Sequence, residues 1–107
     1  MTFKIILAPS AVKQLGALRA DIRSRVRDAI ELHLRHDPAK VSKSRIKQLR
    51  GLHRPQFRLR VDEVRVFYDV SETTVEVLAI VCKAKAQEWL KQEGTSSSPR
   101  GSGEGEG

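Results

Sequence analysis

Between Phe57 and Val70 the chain reads FRLRVDEVRVFYDV, and apolar residues recur at every second position on both sides of an acidic pair. That period belongs to a pleated strand with one buried and one solvated face, because successive side chains leave a strand on opposite sides. Phe57, Leu59 and Val61 therefore share one face, Arg58 and Arg60 the other, and Asp62-Glu63 is a candidate tight turn. Val64, Val66, Tyr68 and Val70 continue the apolar face, with Arg65, Phe67 and Asp69 opposite. After a polar turn at residues 71–74, the run Val75 to Cys82 supplies a third strand. The pattern predicts an antiparallel meander with Tyr68 in its core and Cys82 as a buried thiol.

The segments around the meander complete an α+β arrangement. Phe3 to Leu7 is β-branched and apolar and is followed by Pro9, which a helix tolerates in its first turn, so a short strand leading into a helix is expected. Ala11, Val12, Leu15 and Leu18 form the apolar stripe of that helix, which Gly16 weakens without ending. A second helix is expected from Asp21 as N-cap, with Ile22, Val26, Ala29, Ile30, His33 and Leu34 on one side, until Asp37-Pro38 stops it. Residues 40–50 hold few apolar side chains and read as a loop with a helical turn, and Lys83 to Lys91 as a short terminal helix anchored by Trp89. The expected order is β-α-α-β-β-β-α: a small antiparallel sheet packed on an N-terminal helical hairpin, its other face free.

A chain of 107 residues accommodates one such domain, and with 39% hydrophobic but only 5% aromatic residues its core must be mainly aliphatic. We assign residues 1–92 to this domain and residues 93–107, rich in Gly, Ser and Glu, to a disordered tail that lacks the apolar surface to offset its ordering entropy. The net charge is +7; the tail holds Arg100 against Glu93, Glu104 and Glu106, so +9 falls on residues 1–92. Nine of those cations lie between positions 40 and 65, against Asp62 and Glu63. Such a field favours polyanions, since each neutralised phosphate releases counterions. No apolar run approaches the roughly 20 residues of a membrane span. The apolar stretch before Pro9 is too short for a signal peptide, so a cytoplasmic protein is expected. A single cysteine and three scattered histidines provide no zinc spacing, and neither a metal nor another cofactor is expected.

Arg58, Arg60 and Arg65 are expected to converge on the free face of the sheet, with Lys83 and Lys85 at its rim. Like charges on neighbouring strands are unfavourable alone, so the cluster points to an anionic ligand; a solvated arginine face with packed stems is the plainer alternative. Lys43, Arg45, Lys47, Arg50 and Arg54 extend the basic surface, and Phe67 and Trp89 are candidates to stack a base. RNA can be cleaved without metal, by attack of a 2′-hydroxyl on its own phosphodiester, if cations stabilise the phosphorane and proton carriers serve the two oxygens. Arginine suits the first task through its planar fork. Lysine among other cations releases its proton more readily and suits the second. His53 and Tyr68 are titratable candidates by type alone, with an exposed loop and core packing as their plainer readings.

ILAPSAVKQLGAL, Leu49-Arg50-Gly51-Leu52, FRLRVDEVRVFYDV and VEVLAIV occur in an order and spacing that resembles the RelE/ParE superfamily of type II toxin–antitoxin toxins. The resemblance spans nearly all of residues 3–91. It implies two N-terminal helices packed on a sheet, a cognate acidic antitoxin forming a hetero-oligomer with the toxin, and, in many members, cleavage of mRNA on the ribosome. It also implies roles for Arg58 and Arg60 on one strand and Arg65 on the next. The RelE-like pattern expects an arginine after the last strand and a tyrosine in the terminal helix, where this chain has Ala84 and Leu90. Lys83, Lys85 and Trp89 are the neighbours that would substitute. The ParE-like branch inhibits DNA gyrase and has no need of those nuclease residues, and a non-catalytic RNA-binding module of the same fold is a third reading.

Overall fold

In a computed structural model that describes residues 2–96, the strands and helices follow the order β1 (Lys4–Leu7), α1 (Pro9–Gly16), α2 (Ala20–Leu34), β2 (Ile46–Gln48), β3 (Leu52–Arg54), β4 (Phe57–Val61), β5 (Val64–Val70), β6 (Thr74–Cys82), α3 (Lys83–Glu93) and β7 (Thr95–Ser96). The expected meander is β4-β5-β6, antiparallel throughout, within a five-stranded sheet ordered β1-β6-β5-β4-β2. The sheet is mixed, not purely antiparallel, because β1 runs parallel to β6. Its direction follows from where α1 must sit. The Ala8 N–H still bonds to the Val77 carbonyl, and the next turn of chain lays α1 across β6.

Two side chains of α1 fix that seat. Between Phe67 and Tyr68 the β5-β6 register slips, so that Phe67 faces Ala79 and Tyr68 faces Val77 with Leu78 left over. Such a bulge leaves backbone groups without ladder partners. Ser10 Oγ donates to the Leu78 carbonyl at 3.0 Å, and Gln14 Oε1 accepts from the Ile80 N–H at 2.7 Å. The slip also changes which side chains share a face: Val75, Val77 and Ile80 pack with the helices, while Ala79 turns to the other side with Phe67.

Beneath the helices the core joins Ala11 of α1 and Val26, Ile30 and Leu34 of α2, spaced one turn apart, to Leu59, Val66, Tyr68, Val75 and Val77. Tyr68 is fully buried, stacked on Phe57, with its hydroxyl donating to the Pro38 carbonyl at 2.6 Å. Several local expectations are corrected. α1 ends at Gly16, where the backbone gains least from staying helical. Arg19, not Asp21, stands at the N-cap position of α2, without a side-chain capping bond, and Asp21 lies in the first turn, paired with Arg19 at 2.9 Å. The segment expected as a loop with a helical turn contains the edge strand β2, because Ile46 reaches the core opposite Leu59. Cys82 is exposed, since it ends β6 and precedes α3. The domain extends past its expected boundary: Glu93 is helical and Thr95–Ser96 pair with β3, while the rest of the expected tail, residues 97–107, lies outside the described residues. Among the described residues no helix is long and apolar enough to cross a membrane.

Candidate anion-binding site

The second face of the sheet is not free. α3 folds back over it, and Trp89 stacks on Phe67 with ring centroids 4.9 Å apart and planes 7° from parallel. Phe67 is 1% exposed, so the expectation that it stacks a nucleobase is corrected: its ring face belongs to Trp89. Trp89 is half-buried and gives a ring face to the same contact, which leaves it an anchor for α3.

Between α3 and strands β2, β4 and β5 lies a cleft of about 400 Å³. Lys47, Arg58, Arg65 and Lys83 supply its charge, Leu49, Phe67, Ala86 and Leu90 its apolar wall, and Gln87 its remaining polar group. The strand register explains the gathering. Lys47 of β2 stands opposite Arg58 of β4, which stands opposite Phe67 of β5, all on one face. Lys83, Ala86, Gln87 and Leu90 recur at three- and four-residue intervals and so share one side of α3. That spacing was readable, but the cleft it completes was not.

Four cations line this cleft with no carboxylate among them. Arg58 is half-buried, and its Nε is buried with no hydrogen-bond partner among the described residues. Burial first, then Arg65 and Arg60, push its guanidinium below the usual arginine range. An unpartnered buried donor beside like charges is costly by itself and is relieved by an anion. Arg65 is 8% exposed and folds back on its own hairpin, Nη1 donating to the Asp62 carbonyl at 2.9 Å and the Val64 carbonyl at 3.1 Å.

The remaining candidates separate. Arg60 stands opposite Arg65 in register but opens into a neighbouring hollow with Ser44, Arg45 and Asp62. Lys85 is exposed on α3 outside the cleft, and Lys43 and Arg50 are exposed and outside it as well. Arg54 is held by Asp69 at 3.0 Å and Glu76 at 3.1 Å. His53 is exposed, and neither it nor Tyr68 lines the cleft. Leu90, where the resemblance expects tyrosine, does line it; Ala84 does not. The assembled groups can grip a phosphate-sized anion through several charge-assisted hydrogen bonds, with an apolar wall beside it.

Residues 5–86 match the model of the ParE toxin of type II toxin–antitoxin systems, parDE. The chain belongs to this toxin family. Its fold is similar to several solved toxins of the RelE/ParE superfamily. A mutant of the Escherichia coli toxin RelE in the free state superposes with a TM-score of 0.66 at 21% identity, over 85% of this chain and 93% of its own length. The toxin–antitoxin complex RelBE2 from Mycobacterium tuberculosis gives 0.61 at 22% identity, over 77% of this chain and 99% of the other. The RelB-RelE complex from Methanococcus jannaschii gives 0.61 at 21%, over 78% and 96%. No curated protein matches the sequence at a significant level. The chain therefore combines a RelE/ParE fold with a cationic cleft roofed by α3.

Proposed function

We propose that this toxin is a metal-independent endoribonuclease that cuts mRNA on the ribosome and so inhibits translation in the cytoplasm. The observation that carries the reading is the cleft in which Arg58 keeps a buried, unpartnered Nε beside Arg65, Lys47 and Lys83. In such a reaction the RNA 2′-hydroxyl attacks the adjacent phosphorus, the bond to the 5′-oxygen breaks, and a 2′,3′-cyclic phosphate and a 5′-hydroxyl result. Arg58 and Arg65 are suited to the charge that grows on the phosphoryl oxygens, where fixed cations act most strongly. Lys83, exposed at the cleft edge, is suited to hand a proton to the departing 5′-oxygen. Arg60 and Arg45 are suited to hold a flanking part of the RNA backbone.

A second reading is favoured by two observations: the match to the ParE toxin model, and Leu90 in the cleft where a nuclease of the RelE pattern would have tyrosine. On this reading the toxin inhibits DNA gyrase. On either reading its partner is an acidic antitoxin, which the antitoxin complexes among its structural relatives and its net charge of +7 support.

Tightly controlled expression, with RNA ends mapped in arrested cells, separates the two. In-frame mRNA cuts that disappear in Arg58→Ala support the nuclease. Arrest with intact mRNA and relaxed plasmid supercoils rejects it in favour of gyrase. Arg58 is the better probe than Arg65, whose guanidinium also ties its own hairpin.

A further inference from the structure

We propose that the Asp62–Glu63 turn is the positioning device of the cleft, holding Arg65 and the first residue of α3 over the bound phosphate through the left-handed backbone of Asp62. The inference rests on reading the cleft as a phosphate site. Asp62 has φ 52°, the only positive value at a non-glycine residue among the described residues. Aspartate adopts that region more readily than most residues, yet glycine would do so without steric cost.

Two carbonyls of this turn carry the argument. The Asp62 carbonyl accepts from Arg65 Nη1 at 2.9 Å, beside the Val64 carbonyl at 3.1 Å, which fixes the guanidinium of this cleft-lining residue against the hairpin. The Glu63 carbonyl accepts the backbone N–H of Lys83 at 2.7 Å, which pins the start of the helix that forms the opposite wall. One two-residue turn thus sets the separation of the two cleft walls. The Asp62 carboxylate is in turn held by Arg25 Nη1 of α2 at 2.7 Å. Both side chains of that pair are more than half exposed, a setting in which ion pairs add little stability but can hold an orientation. Asp62 touches no phosphate on this view. It acts through Arg65 and Lys83.

The test uses the purified full chain and a fluorescent 2′-O-methyl RNA oligonucleotide, which cannot be cleaved through its own 2′-hydroxyl, titrated across a salt series. Asp62→Gly keeps the left-handed turn and is expected to retain affinity and salt dependence. Asp62→Val keeps the sheet but disfavours that backbone; it is expected to bind about tenfold more weakly and to lose roughly one phosphate contact from the salt slope. In an Arg65→Ala background the valine substitution should cost distinctly less, because part of its effect runs through Arg65. A purely structural turn would lower melting temperature without changing the slope, and that result overturns the proposal, as does wild-type binding by a folded Asp62→Val. If the valine variant does not fold, Asp62→Ala carries the same comparison. Arg58→Ala serves as the control on the underlying reading: undiminished binding there removes the phosphate site and this inference with it, whereas weakened binding there with an unaffected Asp62→Val removes only the inference.

Discussion

The indole of Trp89 lies 4.9 Å from the ring of Phe67 and nearly parallel to it, and this contact joins α3 to a sheet face that carries Arg58 and Arg65. The helix buries none of its residues completely, and Trp89 is the largest of its three half-buried side chains, with Ala86 and Leu90. Trp89→Ala is expected to destabilise the fold by about 2 kcal/mol, less than a fully buried tryptophan because Trp89 is half-exposed. Trp89→Phe should recover more than half of that loss. Chemical denaturation followed by circular dichroism measures both.

Arg58 combines burial, like-charged neighbours and an unpaired Nε. A cleft of this kind holds strain that its ligand relieves. Arg58→Leu is therefore expected to raise stability by about 1 kcal/mol while abolishing toxicity. Added phosphate should raise the melting temperature of the wild type by linkage and leave that of the variant nearly unchanged. A thermal melt with and without phosphate reads both effects.

Arg54 belongs to the basic stretch between positions 40 and 65, but Asp69 and Glu76 already hold its guanidinium. Arg54→Ala is expected to cost about 1 kcal/mol, since Asp69 is the more buried partner and burial already pushes its carboxyl up. The salt dependence of RNA binding should be unchanged. A loss of slope equal to that of Arg58→Ala would place Arg54 among the phosphate contacts.

Tyr68→Phe removes the buried hydrogen bond to the Pro38 carbonyl and leaves that acceptor without its hydroxyl, at a cost of about 1.5 kcal/mol near neutral pH. Burial raises the Tyr68 phenol above its ordinary value of 10. The folded chain therefore keeps a proton that the unfolded chain loses. Stability from this source is complete below pH 10 and declines as pH rises above it. The alkaline limb of the stability curve should flatten in Tyr68→Phe, as unfolding midpoints across an alkaline series would show.

The alternation through Phe57–Val61 and Val64–Val70 made two strands, their turn and their two faces legible, including Tyr68 in the core and Arg58, Arg60 and Arg65 opposite. Period two ties each side chain to a face whatever the strand pairs with. Within Val77–Cys82 the same rule failed, because an unbroken apolar run carries no parity and the bulge at Leu78 decides which residues enter the core. β2 was hidden for a related reason: of its three residues only Ile46 is buried, and an edge strand opposite Leu59 exists only once β4 is there to pair with.

The helical hairpin, the meander and the cations of β4 and β5 on one sheet face were legible from the residues alone, since each follows from local periodicity or from charge placement within a few residues. What surrounds those cations depends on the assembled fold. It set β1 parallel to β6, folded α3 over the second face, turned Phe67 from a solvent-facing ring into the seat of Trp89, and divided Arg58 and Arg65 from Arg60. Each of these depends on contacts between residues far apart in the chain, whose side-chain types are compatible with several partners until the whole fold has closed.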